Sequence, residues 1–326
     1  MTTVAVTGAT GHIGANLVRA LIEEGHRVRI LLHDTARSLE GVDVETVAGD
    51  VLDPDSLRRA FSGAEVVYHL AAKISVTGDP DGTVRKINVT GPRNVADACL
   101  REGVRRLVHF SSIHAFRQEP LDRPLDETRG PARTRHSPAY DRSKAEGERE
   151  VLAAVAKGLD AVIVNPSGVL GPRDYHPSRM GAVLQGLYRR RFPAMVEGGF
   201  NWVDVRDVVR SAIAAEKRGR RGERYLLAGH WVAVSELARQ YGEITGVPAP
   251  RIVSPMWLAR VGAPFVEAVS HATRTTPLFT SESLVALRSN RDVRWEKAER
   301  ELGHVARPTR ETLADTFAWF REANML

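Results

Sequence analysis

The chain carries one cysteine, Cys99, among 326 residues. An intrachain disulfide framework is therefore excluded. Cys99 sits in the helical apolar pattern Val95-Ala96-Asp97-Ala98-Cys99-Leu100 and is expected to fill core. Long apolar runs are lacking too. None approaches the roughly 20 residues that span a bilayer, so no stable membrane insertion is expected. The amphipathic stretch Met256 to Val269 is expected to wall a substrate pocket rather than rest on a membrane. The first apolar strand begins by Val4, so no signal peptide is expected. The charge balance is basic, +6 with a sequence pI near 9.7. Its densest runs, Arg189-Arg190-Arg191 and Lys217-Arg218-Gly219-Arg220-Arg221, lack interleaved aromatics, so they do not read as a nucleic-acid surface. Each follows a helical segment, where cations are favoured at the negative end of the dipole. They read as solvated surface with a weak pull on anionic substrates. Repeats and low-complexity segments are absent. What remains is a cytoplasmic globular protein, long enough to bury a sizeable core.

Strand and helix patterns alternate through the first half. Strands are expected near 3–7, 27–32, 43–47, 65–70, 105–110 and 160–165, with helices between them, including 83–102 and 139–157. This is the pattern of a parallel sheet with right-handed crossovers. The fold class is α/β, a doubly wound parallel sheet with a smaller, mostly helical C-terminal lobe. Residues 1–167 are assigned to the dinucleotide-binding core and 168–326 mainly to a substrate lobe, with about 200–230 returning to the core. Within the lobe, 225–228 reads as a strand and 235–246, 256–270, 281–289 and 309–322 as helices. The segment 117–138, rich in Pro, Arg and acids, reads as a loop.

Two motifs carry chemistry. Thr7-Gly8-Ala9-Thr10-Gly11-His12-Ile13-Gly14 follows the strand Val4-Ala5-Val6 and opens a helix with apolar Ile13, Leu17, Leu21 and Ile22. Glycines let a backbone approach a pyrophosphate, and a helix N-terminus offers it free amides and partial positive charge. The spacing is Gly-x-x-Gly-x-x-Gly rather than the commoner Gly-x-Gly-x-x-Gly. The second motif is Tyr140 and Lys144, four apart and so on one helical face. An ammonium beside a phenol favours phenolate, which makes the tyrosine a usable acid or base near neutral pH. Either motif alone has a bland reading, a strand–helix turn or a solvated helix face.

Together, and with four further segments in order, they resemble the extended short-chain dehydrogenase/reductase superfamily, the NAD-dependent epimerase/dehydratase family. The segments are Gly49-Asp50-Val51, His69-Leu70-Ala71-Ala72, Phe110-Ser111-Ser112 and Asn165-Pro166-Ser167-Gly168. Val164 to Asp174 and Asn201 to Val208 are similar to segments of dihydroflavonol-reductase-like, 3β-hydroxysteroid-dehydrogenase-like and hopanoid-associated sugar epimerase-like members. The resemblance implies a Rossmann fold and a Ser112/Tyr140/Lys144 triad, with Ser111 the other serine candidate. It implies cofactor contacts at Gly8, Thr10, Gly11, His12, Ile13 and Gly14, at Asp50 and Val51, at Leu70, Ala71 and Ala72, and at Tyr140, Lys144, Pro166 and Ser167. Asn88 is expected to support a proton-relay water, with helix packing as its other reading. At the end of the second strand, Leu32 takes the place of the acid that binds a ribose 2′-hydroxyl. His33 and Arg37 are placed to meet a 2′-phosphate, so NADP is favoured over NAD, with Asp34 opposing. His114, His176 and Arg173 are further substrate candidates.

The function implied is hydride transfer between nicotinamide and a carbonyl or secondary alcohol. Two alternatives stand. One is nucleotide-sugar epimerisation or dehydration with tightly bound NAD, for which Arg173, Arg179 and Arg206 would meet a diphosphate. The other is a non-enzymatic nucleotide sensor, disfavoured because all three triad positions are filled. The expected partners are a small-molecule substrate and, as an assembly, a homodimer.

Overall fold

A computed structural model describes residues 2–134, 137–263 and 280–326. Its central strands are β1 (Thr3–Thr7), β2 (Arg27–Leu32), β3 (Glu45–Ala48), β4 (Val66–His69), β5 (Arg106–Phe110), β6 (Ala161–Pro166) and, later in the chain, β10 (Arg224–Leu227). They form one sheet in the order β10-β6-β5-β4-β1-β2-β3, and every pairing is parallel. The order runs outward from β1 in both directions. A crevice therefore opens at the carboxyl ends of β1 and β4, where a doubly wound sheet binds its ligand. This is the Rossmann arrangement that the strand–helix alternation predicts.

Side-chain alternation along the strands builds two apolar layers. Val4, Val6, Ile30, Tyr68 and Val108 face α1 (His12–Glu23) and α7 (Val205–Arg218). Ala5, Val67, Leu107 and Ile163 face the other way, onto α2 (Pro54–Phe61), α4 (Gly91–Arg101) and α5 (Ala139–Ala156). Cys99 lies fully buried in this second layer. A third apolar cluster joins α6 (Arg179–Tyr188), α8 (Val234–Thr245) and the helix Thr309–Glu322 through Leu184, Trp202, Leu237, Tyr241, Leu313 and Phe320.

Several elements refine or depart from the sequence pattern. The third strand begins at Glu45 rather than residue 43. The helix expected over 83–102 starts as α3 (Thr83–Arg85), passes through a π turn at Lys86–Thr90 and continues as α4. A π turn admits one extra residue per turn and is common at functional sites. The segment 117–138 is a loop where described, yet it is packed. Leu125 is fully buried and bridges Val293. Glu127 accepts a hydrogen bond from the Leu226 N–H at 2.9 Å, covering the open edge of β10. Of the helix expected over 256–270, the stretch 256–263 is helical and packs Met256, Ala259 and Ala263 on Leu284 and Leu287. The rest of that helix, and with it residues 264–269 of the expected pocket wall, lies outside the described residues. No helix among the described residues is long and apolar enough to cross a membrane.

Candidate active site

The glycine turn is dictated by space. Gly8 has φ +70°, and a Cβ there would sit 2.5 Å from the Ala71 amide nitrogen, so the turn lies flat on the end of β4. A Cβ on Gly14 would meet the Gly8 carbonyl at 2.2 Å. Gly11 differs: its Cβ would find nothing closer than 3.5 Å, and the residue is exposed. It is the N-cap of α1 with no side-chain cap, which leaves the first amides of the helix directed at whatever lies beyond the turn. The cradle therefore fits a pyrophosphate, with Thr10, Gly11, His12 and Ile13 around it. The His12 side chain is spent elsewhere. Its Nε2 lies 3.1 Å from the carbonyls of Gly171 and Pro172, and Asn16 donates to the same Pro172 carbonyl at 3.1 Å. These bonds fasten the turn to the segment after β6. There the Ser167 hydroxyl is buried with no partner among the described residues, an orphan polar atom where the resemblance places the nicotinamide carboxamide.

Tyr140 and Lys144 lie on the first turns of α5, and Ser112 follows β5. The His114 N–H donates to the Ser112 oxygen at 3.2 Å, which leaves the serine proton free to point away from that bond. Ser112 is the serine whose hydroxyl acts on the Tyr140 phenol, favouring phenolate, whereas Ser111 lies against Glu148. The geometry thus separates the two serine candidates. Lys144, almost fully buried, donates from Nζ to the Phe110 carbonyl at 2.8 Å. Burial pushes its pKa down to about 8, against the upward pull of the Glu148 carboxylate. The expectation that the lysine charge draws the phenol toward neutrality is not met in this structure. Burial pushes Tyr140 up to about 12; the Ser112 bond acts downward and the Asp141 charge upward.

The decisive comparison is with known families. The NAD dependent epimerase/dehydratase family matches residues 4–228. The chain belongs to that family. Among its relatives, the "Sterol demethylase protein B" of Methylococcus capsulatus is 38% identical over the full length of both chains. A "Putative dihydroflavonol 4-reductase" of Synechocystis is 33% identical, covering 97% of this chain and 94% of its own. The crystal structure of a nucleoside-diphosphate-sugar epimerase from Pseudomonas aeruginosa superposes with a TM-score of 0.81 at 26% identity, over 100% of this chain and 99% of the other. The protein is an enzyme of the extended short-chain dehydrogenase/reductase group, in an NAD-dependent family.

Two further parts of this epimerase/dehydratase site bear on its chemistry. Asn88 lies within the π turn. Its Oδ1 accepts from the Lys73 N–H at 2.8 Å, and its Nδ2 donates to the Lys73 carbonyl and to Ser143 Oγ, each at 2.9 Å. The side chain ties the loop after β4 to α5, as its packing reading expects. Beneath Ser112, Asn165 donates to the Ser112 carbonyl at 3.0 Å and to Glu148 at 2.5 Å, and Arg224 lies 3.6 Å from the same carboxylate. Sequence reasoning missed Glu148, although Tyr140, Lys144 and Glu148 stand at i, i+4 and i+8 on one face.

At the far end of the crevice, His33 Nε2 is 3.2 Å from the Asp50 carboxylate, which places the residues expected at the adenosine side by side. His33, Asp34 and Arg37 are all exposed. On the substrate side, Arg206 is not free for a diphosphate. It forks onto Asp204 at 2.9 and 2.7 Å and reaches Asp315 at 2.6 Å. Asp204, the N-cap of α7, and Asp207, in its first turn, also hold Arg307. Arg173 adopts left-handed backbone at φ +64°, next to a buried Asp174 that accepts from the Ser178 N–H and hydroxyl.

Proposed function

We propose that the enzyme transfers hydride reversibly between a nicotinamide cofactor and a carbonyl or secondary alcohol, with Tyr140 as acid and base. The observation that carries this reading is the arrangement at Ser112. Its oxygen accepts the His114 N–H at 3.2 Å, which leaves its single proton available to the oxygen of a substrate bound beside Tyr140. The bound cofactor supplies or receives the hydride. In reduction the Tyr140 phenol gives its proton to the substrate oxygen, and the high proton affinity imposed by burial keeps that donor loaded at neutral pH. Ser112 donates to the same oxygen as charge develops on it. Lys144, held on the Phe110 carbonyl, stands beside the crevice as the site's cation and meets the nicotinamide ribose. The first amides of α1 hold the pyrophosphate, and the Ser167 hydroxyl meets the carboxamide.

His33 and Arg37 favour NADPH, since both are exposed where the second strand ends and no acid occupies Leu32. Epimerisation of a nucleotide sugar is the second reading, supported by the fold of the Pseudomonas aeruginosa epimerase. The pairing of Arg206 with Asp204 and Asp315 weighs against it. Purified protein should oxidise added NADPH with ketone, hydroxysteroid or flavonoid-type substrates, and Tyr140→Phe should lower turnover at least about a hundredfold. Turnover of nucleotide sugars without added cofactor would select the second reading, and near-normal rates in folded Tyr140→Phe would remove Tyr140 from the mechanism.

A further inference from the structure

Asp141 is a buried acid that the chemistry above does not use. It follows Tyr140 in the first turn of α5 and is only 7% exposed. The helix N-terminus suits a carboxylate there, but burial of a charge calls for a partner. That partner is His114, whose Nδ1 lies 3.4 Å from the carboxylate. The His114 ring also meets the Tyr140 ring edge-on, with centroids 6.2 Å apart, and the His114 N–H is the one that orients Ser112. Asp141 and His114 thus bracket the acid–base tyrosine from its own helix and from the turn after β5.

We propose that Asp141, held against His114, is a positioning residue that keeps Tyr140 in its proton-donating form and so biases the site toward reduction. The inference rests on Tyr140 being the acid and base. A carboxylate beside a phenol opposes a second negative charge, and Asp141 acts on Tyr140 in that direction. The same carboxylate favours imidazolium: burial alone would lower the His114 pKa, and the Asp141 contact raises it overall. Below that pKa the imidazolium offsets the carboxylate; above it the bare carboxylate acts on Tyr140 in full. Among the described residues, the other charged groups on or against α5 sit elsewhere. Lys144 is turned to the Phe110 carbonyl and Glu148 to Asn165 and Arg224. Glu146 and Glu150 pair with Arg85 and Arg93, and Arg142 bonds the Ser137 carbonyl.

The test needs no substrate. Tyrosinate absorbance of the full-length protein, minus that of the same protein carrying Tyr140→Phe, reads the titration of Tyr140 alone. Asp141→Asn keeps the shape and removes the charge, and it should lower that titration by about 1 pH unit. Asp141→Glu should restore part of the shift. His114→Gln should leave the tyrosine titration in place, because the imidazole is already neutral at that pH. The His114 ring resonance followed by NMR should titrate above 6.5 in the wild type, and lower in Asp141→Asn. With a carbonyl substrate in hand, the alkaline loss of reductase activity should move down in pH with the same variant. Unmoved titrations of Tyr140 and His114 in Asp141→Asn would overturn the proposal and leave Asp141 a helix-terminal acid. Full activity in Tyr140→Phe would instead overturn the mechanism on which it rests.

Discussion

Lys144 is forced by its neighbours to keep a charge where burial opposes one. Its pKa falls from 10.5 to about 8 because the ammonium is desolvated, while Glu148 one turn further on pulls the other way. Between those two values the unfolded chain binds more protons than the folded one. Stability from this position therefore rises as pH climbs from about 8 to about 10.5 and is lost as pH falls through the lower value. Lys144→Met abolishes the linkage. Urea titrations across that window should show the wild type gaining on the variant as pH rises, even though the variant loses activity. A constant gap would mean that the lysine is not desolvated in the fold. The residue scale also shows what the Tyr-x-x-x-Lys spacing conveys. It places two side chains on one face, but the direction of the Lys144 ammonium is set by the Phe110 carbonyl, 34 positions away, which helical spacing does not encode.

At the scale of elements, the glycine turn separates fold from binding. Gly14→Ala would push a methyl group into the Gly8 carbonyl at 2.2 Å, so α1 must shift off the turn. Overpacking of this kind costs about 1–3 kcal/mol, and thermal unfolding without cofactor should register it. Gly11→Ala meets nothing nearer than 3.5 Å. Its stability should change by less than about 0.5 kcal/mol, while its affinity for NADPH falls, because the added methyl stands over the first amides of α1. Equal destabilisation by both variants, or unaltered NADPH binding by Gly11→Ala, would contradict this division. At the end of β2 the corresponding test replaces His33 and Arg37 together with neutral residues. NADPH binding should weaken by roughly 1.5–3 kcal/mol per lost charged contact, with NADH little affected. Equal losses for both cofactors would show that the pair does not face the 2′-phosphate.

At the scale of the whole molecule, the sequence is legible wherever a physical rule is local. Strand and helix periodicity predicts the parallel sheet, and the limits expected for β1 and β2 match the structure. The contacts that long separations create are not legible. Leu125 and Glu127 lie in a stretch with no periodicity, yet one is core and the other seals a sheet edge. The π turn around Asn88 leaves no mark on the apolar pattern of its helix. Asp207 is the clearest case. Locally it is an acid in the first turn of α7; in the fold it also accepts from the Arg307 N–H at 2.9 Å and pairs with its guanidinium at 2.8 Å, a hundred residues on. His304 reinforces the join through Ser211 Oγ and the Ala228 carbonyl, each at 2.7 Å. These contacts fasten the C-terminal helix to the sheet that holds the site. Asp207→Ala would leave Arg307, four-fifths buried, without its main counter-charge. Asp204 at 3.6 Å and Glu311 at 3.4 Å still face the guanidinium, so the loss should stay below the roughly 3–5 kcal/mol of an uncompensated buried charge, and the midpoint of chemical denaturation should fall accordingly. The loss should also be local in its first stage. Limited proteolysis of Asp207→Ala should cut between residues 303 and 309 before the sheet opens, whereas the wild type should resist there. Cleavage spread evenly over the chain would show that Arg307 and Asp207 stabilise the molecule as a whole rather than clamp its C-terminal helix.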